Sequence, residues 1–343
     1  MTKNKLSYKS AGVNITAGNE AVELIKHRVK STFSKNVLIG LGGFGALYDL
    51  KTIVKEYDHP ILVQSIDGVG TKAIIARKLN KYDTIGVDLL SAAANDIIVM
   101  GARPLTFLDY IANDKLHPKI IKEIVSGMVI ACKESNVSLV GGETAEMPDT
   151  YLPGEHDLVG VITGIVEKNK IINGALINSG DIILGLPSSG LHTNGYSLAR
   201  KIFFDSGNYD INDTPKGLTS SIGLTLLEPH INYTKHIFTL LDNNVNIKGM
   251  AHITGGGLIE NIPRILPKHC KAILNKEAWA VPSIFTVMQS IGNIEESEMF
   301  RTFNMGIGII IIISSNEVNK VQQLINVYQI GEIETGERGV QII

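Results

Sequence analysis

Asp67-Gly68-Val69-Gly70-Thr71-Lys72 is the densest run of chemically able groups in the 343-residue chain. It follows directly on Ile61 to Ile66, an apolar, β-branched stretch that reads as a strand. A carboxylate offers a hard oxygen to a divalent cation, glycine-rich backbone N–H groups donate to phosphate oxygens, and a lysine neutralises charge. The run is not a Walker A loop, because its lysine follows the threonine. The plainer reading is a tight turn carrying surface charges.

Other segments have similar character. Gly40-Leu41-Gly42-Gly43-Phe44-Gly45 satisfies G-x-G-x-x-G. The dinucleotide fingerprint also needs a strand before it, a helix after it and an acidic residue about 20 positions on. Here a helical pattern (Val22, Ile25, Val29, Phe33) comes first, only Val37-Leu38-Ile39 lies between, and Tyr48 to Asp58 has no clear apolar stripe. A flexible turn, or a lid whose backbone N–H groups cover phosphates, fits equally. Gly141-Gly142-Glu143-Thr144-Ala145-Glu146 ends another strand and presents Glu143 where α/β ligand sites gather. Asp88 and Asp96 lie eight residues apart on one helical pattern, about 80° round it. Both are close to its apolar stripe, and a buried carboxylate must be paired or bind a cation. Ser188-Ser189-Gly190-Leu191-His192-Thr193-Asn194 suits anion binding and does not fit the nucleophile elbow. His252-Ile253-Thr254-Gly255-Gly256-Gly257 is a third glycine loop at a strand's end.

The elements that must position these groups alternate along the chain. Helices are expected at about 82–100, 118–135, 196–204, 233–241, 282–291 and 317–328, and one capped by Asn19. Strands are expected at about 61–66, 104–111, 137–140, 158–166, 181–186, 247–253 and 305–313. The isoleucines Ile309 to Ile313 read as a strand buried on both faces. Glu167-Lys168-Asn169-Lys170 is the short charged break between two apolar runs. It divides a mixed α/β chain into domains 1–168 and 169–343.

Composition narrows the function. A formal charge of −2 argues against a nucleic-acid binder, which needs a basic face. No apolar run approaches the ~20 residues of a membrane helix, and the N-terminus has no secretory pattern. Two cysteines cannot build a disulfide framework or a four-ligand zinc site. The expectation is a cytoplasmic protein.

Read in order, these segments resemble phosphoribosylformylglycinamidine cyclo-ligase, the aminoimidazole ribonucleotide synthetase family. Tyr8-Lys9-Ser10-Ala11-Gly12-Val13, Gly42-Gly43-Phe44-Gly45, the Asp67–Lys72 loop, Gly141 to Pro148, Ser189 to Leu198, Thr254 to Gly257 and Arg301 to Gly308 carry the likeness over essentially the whole chain. It implies ATP-dependent ring closure of formylglycinamidine ribonucleotide, with magnesium, in a homodimer. The N-terminal strands would complete a β-barrel with a second subunit, beside a C-terminal α/β sandwich. Gly42, Gly43, Phe44 and Gly45 would cover ATP. Asp67, Gly68, Gly70, Thr71, Lys72, Asp88, Asn95 and Glu143 would bind it, with Asp67, Asp88, Asp96 and Glu143 as magnesium ligands. Ser189, His192, Thr193 and Asn194 would face the substrate, and His192, Lys72 and Asp67 would serve catalysis. Met1–Ser7 and Ser10 depart from the family pattern outside the phosphate-binding segments.

Overall fold

The first helix begins earlier than its pattern suggests. In the computed structural model, which describes residues 6–343, the Asn14 side chain accepts the Ala17 amide (3.3 Å) and caps α1 (Ile15–Lys30). Asn19, the expected cap, lies inside the helix. Alanines at 17 and 21 extend the buried stripe of Ile25 and Val29 back by two turns.

Contacts divide the chain into two units. One holds the chain up to Ala93 together with Pro104–Ile165, and the other holds Ala94–Arg103 and Val166–Ile343. In the first, α1 is followed by β1 (Val37–Ile39), β2 (Leu47–Tyr48), α2 (Lys51–Val54), β3 (Pro60–Gly68), α3 (Lys72–Leu79), α4 (Asp83–Ile98), β4 (Arg103–Asn113), α5 (Pro118–Glu134), β5 (Ser138–Glu146) and β6 (His156–Glu167). The last turn of α4 counts with the second unit. The main sheet runs β3-β6-β4-β5. β4 and β5 are parallel, with α5 as their crossover. Two glycines let α4 and α5 cross backbone to backbone. A Cβ on Gly86 would stand 1.9 Å from the Ile124 carbonyl oxygen, and one on Gly127 1.9 Å from that of Asp83.

The second unit contains β7 (Ile182–Pro187), α6 (Tyr196–Arg200), α7 (Ile222–Leu226), α8 (Thr234–Asp242), β8 (Ile247–His252), α9 (Gly257–Asn261), β9 (Cys270–Leu274), α10 (Ser283–Gly292), α11 (Glu296–Thr302), β10 (Ile307–Ile313), α12 (Val318–Leu324), β11 (Tyr328–Thr335) and β12 (Gly339–Ile342). Its sheet runs β12-β9-β11-β7-β10-β8. All seven residues of β10 are buried, and it pairs antiparallel with β7 and β8. The isoleucine run therefore forms the two-faced central strand expected of it. α6 passes into a wider π turn, Lys201–Ser206, which completes the helix expected over 196–204. No helix among the described residues is long and apolar enough to cross a membrane.

Candidate active site

β1 and β2 pair antiparallel, which makes the Gly40–Gly45 segment a hairpin loop. A dinucleotide fingerprint opens a helix inside a parallel βαβ unit, so this geometry removes that reading. What remains is a glycine loop with an exposed Phe44 at its tip, which suits a flexible turn and a cover alike.

The Asp67–Lys72 loop leaves the end of β3 and runs into α3. Gly70 takes φ +57°, and Asp67 Oδ1 accepts the Gly68 amide at 2.7 Å. Val69 is pinned to the Leu158 carbonyl oxygen of β6 (3.3 Å), while Asp67 and Thr71 stay half-buried and Gly70 exposed. A pocket of about 300 Å³ adjoins the loop, lined by Gly70, Thr71, Ile74, Arg77, Tyr151 and His156 among others.

Lys72 departs from expectation. Its side chain has no exposed surface, and its Nζ stands 2.9 Å from the equally buried Asp88 carboxylate. So placed, the lysine meets a carboxylate in the interior and not an open phosphate cradle. The pair fixes the start of α3 against α4, and both residues act through position. Asp88 cannot serve as an open magnesium ligand either, because Lys72 already holds its carboxylate.

Of the carboxylates proposed for magnesium, the two that end strands, Asp67 and Glu143, are not brought together. β3 and β5 occupy opposite edges of their sheet. Three strand spacings, roughly 14 Å, therefore separate Asp67 from Glu143, too far for one ion. Asp96 belongs to the second unit. Among the described residues no three His, Cys, Asp or Glu side chains form a metal-holding group. The donor set fits an ion of the kind that keeps several waters and binds through one carboxylate plus substrate phosphates, at Asp67.

In the second unit the Ser189–Asn194 loop is tightly built. Ser188 Oγ donates to Asn304 Oδ1 (3.0 Å), and Asn304 Nδ2 donates to the Gly190 carbonyl oxygen (2.8 Å). Ser189 Oγ donates to the Pro229 carbonyl oxygen at 2.6 Å. His192 has φ +61° and is 1% exposed. Its Nε2 accepts the Ser189 amide (3.3 Å), and its ring stacks on His230 at 4.0 Å. Gly308 makes room for this stack, since a Cβ there would meet Tyr233 Oη at 2.0 Å and His192 Cε1 at 2.7 Å. The imidazole is thus held inside the loop, while Ser189, Thr193 and Asn194 are half-buried.

Sequence reasoning missed the group around it. Asn95, fully buried, donates through Nδ2 to the Ile231 carbonyl oxygen (2.9 Å), and its Oδ1 accepts the Tyr233 amide (3.0 Å). Those two bonds settle which end of the amide is nitrogen, and Nδ2 stands 3.1 Å from His230 Nε2. His230 Nδ1 lies 3.3 Å from Thr193 Oγ1. His252 Nε2 lies 3.2 Å from His230 Nε2, and its Nδ1 lies 2.9 Å from Asp96 Oδ1. Asn95 and Asp96 thus join a histidine network. His252, at a strand's end beside three glycines, offered a signal; His230 offered none.

Two family descriptions match the chain: AIR synthase related protein, N-terminal domain, over residues 49–166, and AIR synthase related protein, C-terminal domain, over 178–343. The phosphoribosylformylglycinamidine cyclo-ligase of Thermoanaerobacter pseudethanolicus is 49% identical over 98% of this chain and 99% of its own. That of Geotalea daltonii is 48% identical over 100% of this chain and 99% of its own.

The chain belongs to the phosphoribosylformylglycinamidine cyclo-ligase family.

Its relatives' name is that of a ligase, and the chain is an enzyme of that kind. Two distant solved structures share the fold. Thiamine-monophosphate kinase from Stenotrophomonas maltophilia is 16% identical, with a TM-score of 0.69 over 93% of this chain and 95% of its own. Hydrogenase maturation protein HypE in complex with ATP is 16% identical, with a TM-score of 0.63 over 95% and 91%.

Proposed function

We propose that the protein closes the imidazole ring of aminoimidazole ribonucleotide from formylglycinamidine ribonucleotide, converting ATP to ADP and phosphate. The observation that carries this reading is the half-buried loop Asp67–Thr71 at the end of β3. It joins exposed glycine backbone, a hydroxyl and a carboxylate beside a 300 Å³ pocket, within a chain whose near-full-length relatives are named for this ring closure. The formamide oxygen is a poor leaving group until phosphorylated. Once ATP activates it, the ribose-bearing nitrogen attacks the imidate carbon and phosphate departs. Such a site needs held phosphates and positioned reactants more than covalent help from the protein. Gly70 and Thr71 would meet the phosphates, Asp67 a magnesium ion arriving with them, and Gly42–Gly45 would cover them. Ser189, Thr193 and Asn194 would take the ribose phosphate. Formation of ADP and a diazo-coupling aminoimidazole, both dependent on the formylglycinamidine substrate, tests the reading. ATP hydrolysis with no aminoimidazole formed would refute it.

Asp67→Asn should leave the fold intact, because the Asp67–Gly68 contact can be kept by the amide oxygen. It should cut turnover and raise the magnesium needed for half-maximal rate. A variant with wild-type turnover and the same magnesium dependence would remove Asp67 from the site.

We also propose a homodimer in which the N-terminal strands of two copies complete a barrel. β3 lies at a sheet edge with Leu62 and Ile66 more than half exposed, and Leu108 of β4 is 42% exposed. Apolar surface on an edge strand invites pairing that a defined dimer would satisfy. Light scattering should give twice the 37.2 kDa chain mass. A fully active monomer at micromolar concentration would contradict it.

A further inference from the structure

Asp109 is a carboxylate that the reading above does not use. It sits on β4 opposite Gly142 of β5 in parallel register. A Cβ at position 142 would stand 2.3 Å from Asp109 Oδ1, so the carboxyl fills the space that any larger residue there would claim. It lines a cavity of about 250 Å³ in the first unit. Val22, Ile25 and Val29 of α1 and Val125 of α5 supply apolar wall, Leu41 comes from the glycine hairpin loop, and Glu143 and Thr144 continue from β5. That volume is below the usual range for a whole drug-sized ligand and suits one end of a ribonucleotide. Burial pushes the Asp109 carboxyl up to about 7, against the pull of its own backbone hydrogen bond. The titratable groups around it are Glu143 on β5 and Cys132 on α5. The Cys132 thiol is itself pushed far up by burial and by Asp109's charge, and so stays protonated.

We propose that Asp109 is the base that receives the N–H proton of the substrate's formamide, with that end of the substrate seated in the cavity beneath the glycine loop. The inference rests on the ring-closure reading and assigns it a proton acceptor. As the formamide oxygen bonds to the γ-phosphorus, the bond from that phosphorus to the ADP oxygen breaks. The nitrogen's N–H electron pair becomes the second bond of the C=N imidate, and the proton passes to an Asp109 oxygen. A carboxyl that changes form near neutrality is matched to that transfer. The apolar wall keeps water from competing for the proton, and the glycine at 142 leaves the carboxyl its place.

Asp109→Asn keeps the shape and removes the base, and Gly142→Ala keeps the base but displaces it together with the β4 backbone, since a Cβ there would also stand 2.6 Å from the Asp109 carbonyl oxygen. With saturating ATP and magnesium, Asp109→Asn should lower turnover at pH 8 by roughly 10²-fold or more. It should also abolish the acid limb expected of the wild type near pH 7. Affinity for a non-hydrolysable ATP analogue should hold. Its melting temperature at pH 8 should rise, by the following linkage. A carboxyl whose folded pKa is raised contributes full stability below its unfolded value near 4 and loses it as pH climbs through about 7, and asparagine lacks that loss. Gly142→Ala should retain the limb with an intermediate loss of turnover. Wild-type turnover with the limb intact in Asp109→Asn, or an unfolded Asp109→Asn, would overturn the assignment. Failure of the wild type to form aminoimidazole would sink the ring-closure reading itself, before any variant is made.

Discussion

Lys72→Met should lower the melting temperature by roughly 6–20 °C, and Asp88→Asn by a similar amount. Neither side chain of the pair has exposed surface, and Nζ and carboxylate stand 2.9 Å apart. Removing one partner takes from the other the ion pair that balances its charge in the interior, which costs about 3–5 kcal/mol. In a unit of this size each kcal/mol moves the transition by about 2–4 °C. Total stability of a domain is only about 5–15 kcal/mol, so either variant should also lose expression yield. The paired substitution Lys72→Met with Asp88→Leu behaves differently, because a buried ion pair exchanged for apolar groups of similar volume is close to neutral. It should recover most of the lost transition temperature. Since the lysine is turned away from solvent, the double variant should also keep turnover within about tenfold of wild type, ~1.4 kcal/mol on the barrier. Thermal denaturation and steady-state rates on the three variants decide it. A double variant that is folded and inert would restore to Lys72 the phosphate contact that its burial denies.

Lys72 also shows why the sequence was legible in one respect and not in another. The strand, the glycines and the helix that follow one another at 60–79 are local patterns, and they form where the spacing predicts. Which way the lysine points depends on a carboxylate sixteen residues later on a different helix, and no local spacing reports that. A buried carboxylate such as Asp88 must be paired, and the structure pairs it with the Lys72 ammonium where the sequence suggests a metal ion. Asp109 gave no signal at all, because an acid in the middle of an apolar strand reads as a solvated edge until Gly142 is seen to vacate the space beside it. The strand order carries the remaining difference. Asp67 and Glu143 each end a strand beside glycines and look alike in sequence, yet β3 and β5 are the two edges of the sheet. Sheet order is set by long-range pairing, so two matching local motifs need not share a site.

The histidine network yields the prediction that reaches furthest into function. Two imidazole nitrogens 3.2 Å apart, His230 Nε2 and His252 Nε2, need a hydrogen between them, since two lone pairs at that distance repel. The Asn95 amide, fixed by the Ile231 carbonyl and the Tyr233 amide, aims an N–H at His230 Nε2 and makes it an acceptor. The shared hydrogen is therefore on His252, whose Nδ1 stands 2.9 Å from Asp96 Oδ1. The chain from Asp96 through His252 and His230 to Thr193 then ends on a half-buried hydroxyl of the loop proposed to meet the substrate. Asp96→Asn should break it at the charged end. Turnover should fall by roughly 10²-fold, with little change in melting temperature because the Asp96 side chain is 36% exposed. His252→Gln should fall by a similar factor, and the double variant should be no worse than either single, as expected for residues that act as one unit. Asp96 and His252 losses that multiply in the double variant, or an Asp96→Asn enzyme with full turnover, would reduce the network to a clasp between β8 and the last turn of α4.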